Sequence, residues 1–432
     1  MIRQITSENI RGFFLLVLFI SIPFSIAGDD FAVIGLYLVT FYRLARKEDR
    51  WIHTPVIYGM GFMFLGALIS ALLSDSVLLS LSYFRNFWRL GLPFLILLAF
   101  KDRSHDRHIK TLALVSSLIA IYSVIQYFTG LDVLRSAVRQ AEFHSTSRVW
   151  YAVGVFSHHL TYGGVSLVLF GMFLPNGASR ERNRGERIFF IMAATCNFAA
   201  VIVCMGRSIW LGAIAAAAVV VFTFLGRKRS LIAIVLVSLL AGGFLGYQST
   251  LKRSFFKTSA LGKRIGSISV KSNLDRLYMW EASLRVIRDH PVLGLGPNRR
   301  ELMDPYYDRI KRMKRHKFQH PPTVGVHNIY LQNWIDFGLL GMLGYLVWWG
   351  TLLIQILFAL RQGPITLKRN AQLAGILASL VGIMVAGVFE NNFRDGEVQT
   401  AILVAMGLAL VLLNPETSRR QEKKPTLDTF NG

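Results

Sequence analysis

The chain has 432 residues, of which 53% are hydrophobic and 17% charged, and its 48 Lys and Arg against 25 Asp and Glu give a net charge of +23. That apolar share exceeds what a soluble surface tolerates, so the composition excludes a soluble globular enzyme and predicts an all-α polytopic membrane protein. The two cysteines, Cys196 and Cys204, fall in one predicted span, which excludes a disulfide framework and a thiolate metal cluster.

Apolar stretches at 13–28, 31–42, 54–73, 77–100, 108–129, 159–175, 188–205, 209–225, 231–247, 328–358, 371–389 and 397–413 predict about twelve transmembrane helices, several shorter than the usual roughly 20 residues. The first stretch lacks a convincing small-residue cleavage site and reads as a retained helix. Cations occupy alternate connections: Arg43, Arg46, Lys47 and Arg50; Lys101, Arg103, Arg107 and Lys110; Arg180, Arg182, Arg184 and Arg187; Arg227, Lys228 and Arg229; Arg361, Lys368 and Arg369. The positive-inside rule makes these cytoplasmic. Arg3 and Arg11 before the first span, and Arg419, Arg420, Lys423 and Lys424 after the last, place both termini on the same side. The expected division is nine helices over 1–247, an outer loop over 248–326, three helices over 327–413 and a cytoplasmic tail over 414–432.

The outer loop carries seventeen Lys or Arg against six Asp or Glu. Its length removes it from the orientation rule, which holds for loops up to about 60 residues. Within it, Asn273 to Asp289 predicts a helix with the stripe Leu277, Trp280, Leu284 and Ile287, ended by Pro291. A glycine-dense turn follows at Leu293 to Asn298. From Arg299 to Phe318 a second helix is expected, broken at Pro305. Its basic run, Arg309 to Lys317, would suggest nucleic acid in a soluble protein; on an outer membrane-facing loop, anionic lipid, a phosphorylated saccharide or plain solvation fits instead. Nucleic acid is therefore not an expected partner.

The loop ends at Gly325-Val326-His327-Asn328-Ile329-Tyr330, where a titratable ring meets a membrane-length helix. The positive end of that helix and the neighbouring cations should favour a neutral, proton-accepting imidazole. A capping or interface histidine is the plainer alternative. Arg85 and Arg89, spaced i, i+4 in an apolar stretch, suggest either a surface-lying amphipathic turn or a polar cavity wall. Asp29-Asp30 reads as a helix cap, ahead of the alternative of a catalytic or metal-binding acid. His158 and His159 point about 100° apart on a helix, which argues against one shared metal ion.

Four pieces then combine: Gly206-Arg207-Ser208-x-Trp210-Leu211; Arg276 ahead of Trp280-Glu281-Ala282; His290-Pro291-x-x-Gly294-x-Gly296-Pro297; and His327-Asn328-x-Tyr330-Leu331. In this order they resemble the O-antigen ligase and polymerase superfamily, bacterial membrane glycosyltransferases that use polyprenyl-diphosphate sugars. The separation of Arg285 from Gly296 adds little in so arginine-rich a loop. The resemblance implies a GT-C-like helical fold in the inner membrane, with the active site facing the periplasm. It implies an undecaprenyl-diphosphate-linked glycan as donor and the lipid A core oligosaccharide as acceptor, with no metal or other cofactor. Arg207 and Arg276 match the family's functional arginines, suited to a diphosphate, and His327 matches its functional histidine, as base or as positioning group. Arg85, Arg89, Trp280, Asn328 and Tyr330 are the substrate-binding candidates. An O-antigen polymerase and a protein O-oligosaccharyltransferase differ only in acceptor; one dominant outer loop favours a ligase. A twelve-helix lipid or glycan transporter would instead show mid-membrane charges and a pseudo-repeat.

Overall fold

The computed structural model describes residues 6–101, 103–134, 142–144, 149–224, 271–316, 318, 325–364 and 366–414. Arg3, the cations at 227–229, the expected span 231–247, loop residues 248–270, Lys317, Pro321 with Pro322, and the basic tail lie outside the described residues.

The described chain is almost wholly helical, with a single short hairpin in which Glu142–His144 pairs antiparallel with Val149–Tyr151. Among the described residues, seven helices are long and apolar enough to cross a membrane: Asp106–Thr129, His159–Ala178, Arg184–Val203, Arg207–Phe224, Ile329–Leu360, Lys368–Ala386 and Gly396–Leu413. Ser7–Ser21, Ile26–Ala45 and Val56–Leu72 pack beside them.

The expected span 77–100 is not one helix. It divides into a short helix, Val77–Leu81, two 3₁₀ turns, Ser82–Asn86 and Trp88–Gly91, and the helix Leu92–Phe100. The Ser82 hydroxyl donates to the Leu79 carbonyl at 2.6 Å, competing with the backbone ladder. Pro93, which has no N–H, sits at the start of the last helix, where none is needed. Arg85 and Arg89 therefore lie in successive 3₁₀ turns and do not share an α-helical face.

Helix Ile329–Leu360 is the spine of the bundle. It packs along Val56–Leu72 through small residues: a Cβ on Gly66 would lie 2.1 Å from the Gly341 nitrogen, and one on Gly344 would lie 2.1 Å from the Met63 nitrogen. Such close backbone approach is how helices gain dispersion contact where lipid supplies no hydrophobic drive. Tyr345, Trp348 and Trp349 of this helix form an aromatic cluster with Phe393, the Trp348 and Phe393 centroids lying 5.8 Å apart.

The spine breaks at Gly338, with φ 67° and ψ −174°, a conformation essentially reserved for glycine. The break frees backbone groups that the large loop then satisfies. The Leu339 amide donates to the Val292 carbonyl at 2.9 Å, and the Leu295 amide donates to the Ile335 carbonyl at 2.7 Å. Gly294, at φ 67°, makes the approach possible, since a Cβ there would lie 2.2 Å from the Ile335 oxygen. Trp334 Nε1 donates to the Pro291 carbonyl at 2.9 Å, and the Ser70 hydroxyl to the Leu293 carbonyl at 2.6 Å. The His290–Gly296 motif is thus the strap that fastens the loop to the bundle.

The loop helix runs Lys271–Asp289, two residues longer at its start than expected. Its stripe differs from the expected one. Leu277 and Leu284 are exposed, while Met279, Ala282, Val286 and Ile287 face a small core with Met303, Tyr307 and Ile310. Val326 and Ile335 close that core from the bundle side. Pro305 does not break the second helix; it lies in the first turn of Asp304–Lys314, the position its fixed φ suits. The basic run beyond it is tied at one end, where His316 Nε2 meets Asp275 at 2.6 Å.

Ion pairs at the opposite end join connections assigned to one side of the membrane. Asp49 meets Arg11 at 2.8 Å, Arg43 at 2.9 Å and Lys101 at 2.6 Å. Asp106 meets Arg182 at 2.8 Å and Lys368 at 3.1 Å.

Candidate active site

At the loop end, His327 stands just before the spine helix with φ 48°, held there by its neighbours. Asn328 is the N-cap: its side-chain oxygen accepts from the Tyr330 and Leu331 amides, each at 3.0 Å, satisfying two of the helix's orphan donors. Trp280 Nε1 donates to the Val326 carbonyl at 3.1 Å, so the loop helix pins the residue before the histidine. Tyr330 donates its hydroxyl to the Met384 carbonyl at 2.8 Å. Trp280, Asn328 and Tyr330 thus hold the frame of the site through hydrogen bonds within the chain.

His327 Nδ1 lies 3.0 Å from Oε2 of Glu390, and Arg276 Nη2 contacts Oε1 of the same carboxylate. The carboxylate can only accept, so Nδ1 carries the proton and Nε2 of a neutral ring keeps its lone pair. Burial pushes the Glu390 carboxyl up, but the His327 hydrogen bond, the Arg276 charge and the nearby His327 and His159 outweigh it and hold it below its ordinary value. Glu390 is therefore an anion that fixes both the imidazole and the guanidinium. In the same connection Asp395, which accepts from the Thr161 hydroxyl at 2.9 Å, is pushed up to about 6, chiefly by burial.

Arg207 opens helix Arg207–Phe224 after a turn in which Met205 has φ 57°. Its Nη2 donates to Asn273 Oδ1 at 2.9 Å. Asn273 lies one helical turn before Arg276, on the same face of the loop helix. Arg207, Arg276 and His327 thus come together around the N-terminal part of that helix, two permanent cations beside one imidazole. Two guanidiniums so placed can cradle phosphate oxygens, and Nε2 can take a proton from an approaching hydroxyl.

The remaining candidates lie elsewhere or are engaged. Arg89 pairs with Asp30 and stacks 4.9 Å over the Trp88 ring, lining a cavity next to the site; Arg85 is exposed. Ser25, not Asp29, caps helix Ile26–Ala45; Asp29 is buried in its first turn and accepts from the Ser21 hydroxyl at 2.6 Å. His158 accepts from the Leu160 amide at 3.2 Å, while His159 Nδ1 meets the Cys204 carbonyl at 2.7 Å, so the two rings serve different backbone groups.

Sequence reasoning missed Glu390, which sits 63 residues from His327 in the connection between Lys368–Ala386 and Gly396–Leu413. It also missed the pair between Arg394 and Asp336, although an aspartate within an apolar helix is itself a signal.

Residues 188–346 match the family described as O-Antigen ligase. That stretch contains Arg207, Arg276 and His327, and Glu390 lies beyond it. No curated protein matched the chain.

Proposed function

We propose, from the match of residues 188–346 to the O-antigen ligase family, that this chain is an inner-membrane ligase that moves a glycan from undecaprenyl diphosphate to the lipid A core oligosaccharide. The observation that carries the reading is the sharing of Glu390: one carboxylate aligns a base and a phosphate-type cation, with Arg207 bonded to Asn273 one turn before Arg276 on the loop helix.

In this account the donor's diphosphate rests against Arg207 and Arg276, and the acceptor hydroxyl donates to His327 Nε2. The hydroxyl oxygen attacks the anomeric carbon as its proton passes to the imidazole, and the bond from that carbon to the diphosphate oxygen breaks. Attack opposite the leaving group inverts the anomeric centre. Negative charge grows on the departing diphosphate, where fixed cations favour the transition state over the ground state. Cleavage of the bond between the sugar and its diphosphate supplies the driving force, so no nucleotide is needed. Loop 248–326 and the site face the periplasm in this account, with both termini cytoplasmic.

A lipopolysaccharide gel from a deletion strain tests it. The reading expects bare core, with long glycan accumulating on the polyprenyl carrier. Core bearing a single repeat would make the chain a polymerase, and unchanged lipopolysaccharide would remove lipid A core as the acceptor.

A further inference from the structure

A cavity of about 160 Å³ lies beside the candidate site, and none of His327, Glu390, Arg276 or Arg207 lines it. Its polar wall is Asn86, Arg89, Arg300, Asn333, Arg394 and Gln399; among the described residues it has three arginines and no carboxylate. Two of these arginines are anchored from behind, Arg89 by Asp30 and Arg394 by Asp336. Anchoring fixes the guanidinium planes without filling the cavity. Two buried donors on lining residues, Asn333 Nδ2 and Arg394 Nε, have no hydrogen-bond partner. Asn333 is 3% exposed, and an unmade bond of this kind costs about 1 to 3 kcal/mol unless something else accepts it. The complement is a compact group rich in acceptor oxygens and negatively charged. A compact phosphoryl group has that chemistry, with oxygens that each accept from a guanidinium or an amide.

We propose that this cavity is a second anion subsite that takes a phosphoryl group of a substrate, separate from the Arg207 and Arg276 contacts. The inference rests on the transferase reading for its substrates, although phosphate binding itself does not. Asn333 lies less than two turns beyond His327 on the spine helix, and Arg394 lies four residues after Glu390. A substrate held here is held next to the reacting centre. The group is either part of the donor's diphosphate or a phosphate carried by the acceptor saccharide.

The test uses the full chain in detergent, with the first anion contact weakened by Arg207→Gln. Calorimetric titration with inorganic diphosphate should still detect binding, and adding Arg300→Gln, at an exposed position, should weaken it at least about tenfold. Asn333→Leu should do the same, with unliganded thermal stability read alongside. Equal affinity in both variants would overturn the proposal. Steady-state transfer separates the sources. A donor phosphoryl predicts that Arg300→Gln raises the donor KM alone; an acceptor phosphate predicts a raised acceptor KM that phosphatase treatment of the acceptor abolishes as a difference. If neither KM moved, the subsite would not serve transfer and the proposal would fall. Diphosphate binding in a chain that transfers no glycan would sink the transferase reading while keeping the cavity.

Discussion

Glu390 places one carboxylate oxygen 3.0 Å from Nδ1 of His327 and gives the other to Arg276. One buried anion therefore sets the tautomer of the ring and the plane of the guanidinium. Glu390→Gln keeps the size but lets an amide donor face Nδ1, which favours the wrong tautomer. Transfer should fall on the order of 10²-fold or more, with protein abundance retained. An unchanged rate would reduce Glu390 to a structural ion.

The same carboxylate carries a pH signature. Its folded value lies below the ordinary 4.5, so it contributes stability above that pH and loses it as pH falls through the folded value. Thermal melts should show wild type ahead of Glu390→Gln at neutral pH, with the gap closing on acidification below about pH 4.5. A gap that widened in acid would contradict the depressed value.

Arg207→Lys and Arg276→Lys keep the charge but lose the two-pronged contact with phosphate oxygens. Each should lower transfer by at least about tenfold while the protein accumulates normally. Normal turnover in both would leave these arginines as charges at a helix end and on a loop surface.

Gly338→Ala should act on structure. It forces a side chain into φ 67° and 2.2 Å from the Val292 carbonyl, a strain of about 1 to 3 kcal/mol before any displacement of the strap. Thermal stability and transfer should fall together. Gly350→Ala on the same helix meets nothing within 4 Å and should behave as wild type. Equal behaviour of the two would mean that the break at Gly338 does not hold the loop.

Transfer should survive excess EDTA, because Glu390, the carboxylate that meets the histidine, is already engaged by Arg276 and His327. Loss of activity with EDTA and its return with a divalent ion would replace this mechanism with an acid-centred one.

Local signals in the sequence carried far. The loop helix ended at Asp289 ahead of Pro291 as read, and His327 was placed at the mouth of the spine helix because polarity changes abruptly there. What stayed hidden depended on packing between distant segments. Glu390 reaches His327 only because the connection between Lys368–Ala386 and Gly396–Leu413 folds over the mouth of the spine. Hydropathy does not register φ, so Gly338 looked like any apolar helix residue, and the break that the glycine motif fills was invisible. The stretch 77–100 failed for a related reason: its mean apolarity masked the serines, glycine and proline that divide it.

The central claim is that His327 takes the acceptor's proton, and it is tested most directly by measuring transfer by purified His327→Ala and His327→Gln across pH. The account predicts that both lose about 10²- to 10⁴-fold in rate at every pH, with folding intact. A glutamine variant with most of the wild-type rate, or an alanine variant that transfers normally with donor supplied, would contradict it.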